Sequence, residues 1–206
     1  MRRCWLFLLL VLAQQAAFPV IIDKIAVVIG TSIVKDSDID EDIRVTAFLD
    51  GDPLDFSNPV RKKAAKRLID QIFIRREIRV GGYPAVTPQE ADLQLAALKE
   101  QRFKTPAAFN AELRKYGLTE LALRSQFQWQ LTVLRFIDVR FKPAVLVTEE
   151  EIEKYYRAHP GKATLAARQD EISEILTGEK VNQVFFTWLD ERYKEAKIQF
   201  VEGSLA

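Results

Sequence analysis

Apolar residues alternate over only two short stretches of this chain and elsewhere recur every three to four positions. That pattern predicts a mostly helical protein with a small antiparallel sheet. The first stretch reads Ile25-Ala26-Val27-Val28-Ile29, then Gly30-Thr31, then Ser32-Ile33-Val34-Lys35. Two apolar runs around Gly-Thr predict a hairpin with Gly30 at the first central position of a type II′ turn. Both faces of its first strand are apolar, so cover on both sides is expected. The second stretch, residues 197–202, alternates around Ile198 and Phe200. Unpaired backbone groups are costly, so a single terminal strand needs a partner. The only other predicted strands lie near the N-terminus. The two ends are therefore expected to meet in one sheet, with helices between them.

Helix boundaries follow from caps and breakers. Ser37 or Asp36 is expected to cap a helix over 38–49, which Asp50-Gly51-Asp52-Pro53 breaks. Asn58-Pro59 predicts the start of a longer helix ending near Gly81-Gly82. Thr87-Pro88-Gln89-Glu90 and Thr148-Glu149-Glu150-Glu151 have the form of capping boxes, with a side-chain oxygen at each end of the first turn. Thr105-Pro106 opens a further helix that Gly117 closes, and Thr119 begins one reaching Phe141. His159-Pro160-Gly161-Lys162 interrupts the pattern, and residues 158–169 read as a linker. A last helical region is expected over 170–196, with a break at Gly178.

The helix starting at Thr119 carries two apolar stripes. Leu123, Phe127, Leu134, Ile137 and Phe141 share one face, and Trp129, Val133 and Phe136 fall roughly opposite. A helix that is apolar on two sides is either sandwiched in a core or has one side lining a groove. The second alternative marks Trp129, Val133 and Phe136, with nearby Phe103, Phe109 and Tyr116, as the candidate surface for apolar peptide segments. The helix from Asn58 carries Arg61, Lys62, Lys63, Lys66, Arg67, Arg75, Arg76 and Arg79 against Asp70 and Glu77. Such a run is ordinarily a solvated face, and it also suits acidic segments of a partner or anionic lipid.

Composition narrows the function. The chain has 206 residues, 48% of them hydrophobic and 29% charged, as expected for a globular core rather than long disorder. Its formal net charge is +1. Without Arg2 and Arg3 it becomes −1, so there is no basic excess for nucleic acid. Arg2-Arg3, the apolar run 4–12 and the small residues 13–17 read as a secretory signal, so a cleaved leader over 1–17 is expected. The run is short of the ~20 residues needed to span a bilayer, so no stable membrane insertion is expected after cleavage. Cys4 is the one cysteine and lies in that leader, which removes disulfides and thiolate metal sites from the mature chain. The one histidine, His159, sits in the expected linker, apart from any nucleophile it would activate. No Gly-rich phosphate loop, metal spacing or catalytic constellation is present. No cofactor is implied.

Several stretches together resemble a family. Ile21-Ile22-Asp23-Lys24-Ile25-Ala26-Val27-Val28 with Asp36-Ser37-Asp38-Ile39-Asp40 is similar to the N-terminal hairpin and first helix of SurA-like periplasmic chaperones. Arg67-Leu68-Ile69-Asp70-Gln71, Val86-Thr87-Pro88-Gln89-Glu90, Tyr116-Gly117-Leu118-Thr119 and Val147-Thr148-Glu149-Glu150-Glu151-Ile152 follow in the family's order. So do Glu179-Lys180-Val181-Asn182-Gln183 and Lys197-Ile198-Gln199-Phe200. The resemblance implies a chaperone core: residues 18–157, completed by 170–206, with the N-terminal hairpin paired to the C-terminal strand around a helical cradle. In the family, one or two parvulin-type isomerase domains, each on the order of 90 residues, usually sit where residues 158–169 lie here. No such domain fits, so the resemblance implies chaperone activity without a prolyl isomerase. It implies an extracytoplasmic, periplasmic protein that holds unfolded or nascent envelope and outer-membrane proteins without ATP. A prolyl isomerase and a structural envelope subunit with one fixed partner are the alternatives. The short linker would also let the closing helix exchange between two chains, giving a homodimer.

Overall fold

The structure is a computed structural model that describes residues 23–201 and Gly203. The expected leader over 1–17 and residues 18–22 lie outside the described residues. The elements are β1 (Ile25–Ile29), β2 (Ser32–Lys35), α1 (Asp36–Asp50), α2 (Asn58–Gly81), α3 (Pro88–Arg102), α4 (Pro106–Tyr116), α5 (Glu120–Arg140), a 3-10 turn (Lys142–Ala144), α6 (Glu149–Ala158), α7 (Leu165–Glu195) and β3 (Ile198–Phe200). The fold is mostly α with one three-stranded antiparallel sheet, as the pattern predicts.

The two ends do meet. The sheet order is β2-β1-β3, with Val27 opposite Phe200 and Ile29 opposite Ile198. The hairpin closes with Ile29 opposite Ser32. Its positive φ, +58°, falls on Gly30 and not on Thr31, as a II′ turn requires. The expected cover on both faces of β1 is incomplete, because Val28 is only half-buried and Ile25 is exposed. A bulge between Ile25 and Val27 turns both Ala26 and Val27 into the core. On the other face Ile25 and Ile33 stay 40% and 44% exposed.

Two apolar clusters fill the body. The larger joins Val27 and Val34 of the sheet to Ile39 of α1, Ile69 and Phe73 of α2, Phe136 of α5 and Trp188 of α7. The smaller joins Phe48 of α1, Leu95 of α3, Phe109 and Leu113 of α4, and Leu123 of α5. Helices α1 and α5 serve both, each giving one end to each cluster. The stripe from Leu123 to Phe141 is accordingly not one buried face: Leu123 and Phe141 are buried in different clusters, and Leu134 is exposed.

The Thr87 and Thr148 capping boxes form as expected. Three boundaries differ from the sequence reading. Helix α1 begins at Asp36, where Asp38 accepts a hydrogen bond from the Lys35 N–H at 2.9 Å. Ser37 turns instead to Asp23, donating its hydroxyl to that carboxylate. Helix α2 has Ser57, not Asn58, at its N-cap position. Helix α7 starts at Leu165, where Thr164 accepts from the Ala167 N–H at 3.4 Å, and it runs through Gly178 without a break. The connection between α6 and α7 is thereby reduced to residues 159–164. A glycine inside a helix costs about 1 kcal/mol, less than the packing of Val181, Phe185, Trp188 and Leu189 contributes. No helix among the described residues is long and apolar enough to cross a membrane.

Candidate functional site

Residues of α2 and α5 line a groove around Trp129 in two lobes that share Arg75, Ser125 and Trp129. One lobe, about 530 Å³, has apolar walls from Ile78, Tyr83, Pro84 and Val86. The other, about 310 Å³, is lined by Ile33 and Val34 of β2 and by Leu68 and Ile72 of α2. Trp129 is only 8% exposed and forms part of the floor of both.

The wall formed by residues 83–86 is tied to α5 by side chains that the helical period brings to one side. Gln128 donates its amide to the Val86 carbonyl at 3.0 Å, and Arg135 donates to the Ala85 carbonyl at 2.7 Å and to the Glu90 carboxylate. Tyr83 packs edge-on against Phe136, with ring centroids 5.0 Å apart, and its hydroxyl accepts from Arg140 at 2.9 Å. The larger lobe therefore has a wall fixed before any ligand arrives, which lowers the ordering cost of binding.

The charges differ between the lobes. Arg75 lies over the Trp129 ring, 3.8 Å from its centroid, a cation–π contact. Arg75 and Arg79 both border the larger lobe, and neither guanidinium has a hydrogen bond or ion pair among the described residues. The smaller lobe is bordered by Asp38, Glu41 and Asp42. Asp38 is occupied by the Lys35 N–H, and Asp42 accepts from Arg67. Burial raises the Asp42 carboxyl above its ordinary range, against the opposing pull of Arg67.

The six residues expected from sequence to bind peptide do not share one surface. Phe103, Phe109 and Tyr116 belong to the smaller cluster. Phe109 packs edge-on to Phe103 at 5.3 Å, Tyr116 packs edge-on to Phe48 at 5.6 Å, and the Tyr116 hydroxyl donates to the Asp52 carbonyl. Phe136 is 1% exposed in the larger cluster, and Val133 packs against that cluster. Of the six, only Trp129 borders the groove. Trp129, Val133 and Phe136 all meet the larger cluster, but only Trp129 reaches the groove, while Trp188 of α7 lies 5.7 Å from Phe136. Sequence reading missed Tyr83 and Val86 and did not single out Arg75. Arg75 was hidden in a run of eight cations, and Tyr83 and Val86 sit in a connection without periodicity.

The cation run itself divides. Arg61 pairs with Asp36 and Asp40, Arg67 with Asp42, and Lys66 with Asp70. The acids of α1 thus engage Arg61 and Arg67 in the first half of α2, whereas Arg75, Arg76 and Arg79 in the second half have no ion pair among the described residues. His159 stacks on Tyr155 at 4.1 Å and donates Nδ1–H to the Tyr155 carbonyl at 3.0 Å. That is a local turn contact with no nucleophile involved. Among the described residues, no three His, Cys, Asp or Glu side chains converge as metal ligands would.

No family model matches the chain. Among curated proteins it is similar to Chaperone SurA of Salmonella typhimurium (strain LT2), 25% identical over 193 residues that cover 86% of this chain and 44% of that protein. Chaperone SurA of Escherichia coli O157:H7 is 23% identical over 194 residues, covering 87% of this chain and 45% of that protein. The likeness runs along most of this chain, which spans less than half the length of the curated relatives it matches.

Proposed function

We propose that this protein is an ATP-independent extracytoplasmic chaperone that holds unfolded apolar and aromatic polypeptide segments, with envelope and outer-membrane proteins as clients. The observation that carries this reading is the likeness to Chaperone SurA over 86% of the chain. The Trp129 groove supports it, because a preformed apolar groove with polar edges suits an extended segment and offers no reactive group for chemistry. Binding without nucleotide implies modest affinity, since ordering a flexible client offsets much of the contact energy. Trp129 is the residue of the expected set that we retain as a client contact, with Tyr83 and Val86 added to it.

We read the protein as a holder rather than a prolyl isomerase, because residues 159–164 leave no space for an inserted catalytic domain between α6 and α7. The test is light scattering from an unfolded β-barrel protein diluted out of denaturant. A several-fold excess of the purified chain should suppress the scattering without ATP. Scattering unchanged at that excess sinks the proposal. A proline-isomerisation assay on a short peptide should show no acceleration over the spontaneous rate, whose time constant is tens of seconds or longer.

A further inference from the structure

The charge arrangement at the larger lobe restricts which segments it accepts. Arg75 lies over the Trp129 ring, and Arg79 lies one turn further along α2 at the same lobe. An exposed guanidinium at an apolar wall that has no carboxylate partner is free to bind one. The acids nearest in sequence are already engaged: Asp70 by Lys66 and Tyr193, and Glu77 by Arg140. Glu90, on the wall side, is held by Thr87 and Arg135. The lobe thus combines an apolar wall of Ile78, Tyr83 and Val86 with two uncommitted cations at its edge.

We propose that this lobe selects unfolded polypeptide segments in which an acidic side chain stands next to an aromatic or branched apolar one. The apolar side chain packs on the wall, and the carboxylate meets Arg75 and Arg79. This rests on the holding function above and names the client chemistry of its groove. A basic segment places like charges against the two guanidiniums and is disfavoured. Charge at the edge of a groove acts mainly through selectivity and association rate, and it is screened by salt.

The test uses the whole protein and three fluorescent peptides of the same aromatic sequence. The neighbours of the aromatic residues are Glu, Gln or Lys, and every peptide has amidated and acetylated ends. The Glu peptide should bind about tenfold tighter than the Lys peptide at low ionic strength, the equivalent of one charge-assisted contact, with the gap narrowing as salt is added. Arg79→Gln and Arg75→Gln should each reduce the preference. Arg79→Glu should reverse it toward the Lys peptide, a gain that misfolding does not produce. Arg76→Gln, outside the lobe, should leave it unchanged. Equal binding of all three peptides by a protein that still suppresses aggregation overturns the selectivity and leaves the holding function standing. So does a preference that survives Arg79→Glu. A preference that appears only when the peptide carries a free C-terminal carboxylate assigns the site to chain ends and also overturns the proposal. Binding of anionic phospholipid vesicles that Arg79→Glu abolishes, with no peptide bound, does the same. Failure of every peptide to bind, together with failure to suppress aggregation, removes the holding function itself.

Discussion

The Glu90 carboxylate accepts from the Thr87 N–H and the Thr87 hydroxyl, each at 2.9 Å, and also from the Arg135 guanidinium. The Thr87 bonds and the Arg135 bond favour the ionised form and hold its pKa at about 2, down from 4.5. A folded-state pKa below the unfolded one gives stability that is fully present above pH 4.5 and is lost as pH falls towards about 2. Glu90→Gln should therefore lower the melting temperature at neutral pH. The gap from the parent protein should close between about pH 4.5 and pH 2, as followed by circular dichroism. A gap that stays constant across that range would disconnect Glu90 ionisation from folding. A second residue test concerns Phe136, whose ring touches Tyr83, Phe141 and Trp188 with 1% exposure. Phe136→Ala should cost about 3–5 kcal/mol in urea unfolding. A cost below about 1 kcal/mol would mean that the ring lines an open surface, as the two-stripe reading of α5 allows.

Among the elements, those with local signals were legible in the sequence and those decided by packing were not. Thr87, Thr105, Thr119 and Thr148 each begin a helix whose early N–H the threonine oxygen accepts, a signal contained within four residues. That β3 joins the N-terminal hairpin followed from elimination, because a single strand must find a partner; that it pairs with β1 rather than β2 did not. The run of α7 through Gly178 was not legible, because Phe185 and Trp188, far along the chain, decide it. The groove was not legible either. Trp129 carries the signal of an apolar stripe, but which member of the stripe reaches the groove depends on the packing of Tyr83 and Trp188 on Phe136. Tyr193 is one of the residues that fix α7. Its hydroxyl donates to Asp70 of α2 at 2.7 Å, and its ring meets Phe73 edge-on at 5.2 Å. Burial, then the Asp70 charge, raises the Tyr193 phenol far above its ordinary 10.0. Tyr193→Phe should cost about 1.5 kcal/mol, the low end for a bond to a charged acceptor in a half-open site. A raised folded-state pKa contributes below the unfolded value, so the cost should persist through neutral pH and shrink above about pH 10. Denaturation of both proteins at pH 7 and pH 11 checks it.

At the scale of the whole molecule, the order of the chain and the order of packing oppose each other. The larger cluster takes Val27 and Ile39 from the first elements, Phe136 from the middle, and Val181, Phe185, Trp188 and Leu189 from the last helix. β1, the central strand, is bordered on one side by β2, its neighbour in sequence, and on the other by β3 from the far end. Neither end completes this body without the other. The smaller cluster has a different dependence, because Phe48, Leu95, Phe109 and Leu123 all precede α6. Removing residues 165–206 should therefore act unequally. It exposes the larger cluster by four buried apolar side chains, each contributing about 1.5–3 kcal/mol. That total is comparable to the 5–15 kcal/mol by which such domains are stable. The truncated chain is expected to lose the protection of β1 and α2 amides from hydrogen exchange, while α3 and α4 keep part of theirs around Phe48. Addition of the 165–206 segment in trans should restore protection in β1, because Ile198 and Phe200 rebuild its edge. Equal protection of β1 in the truncated and full-length proteins would show that the N-terminal part folds alone and that α7 only covers a finished core.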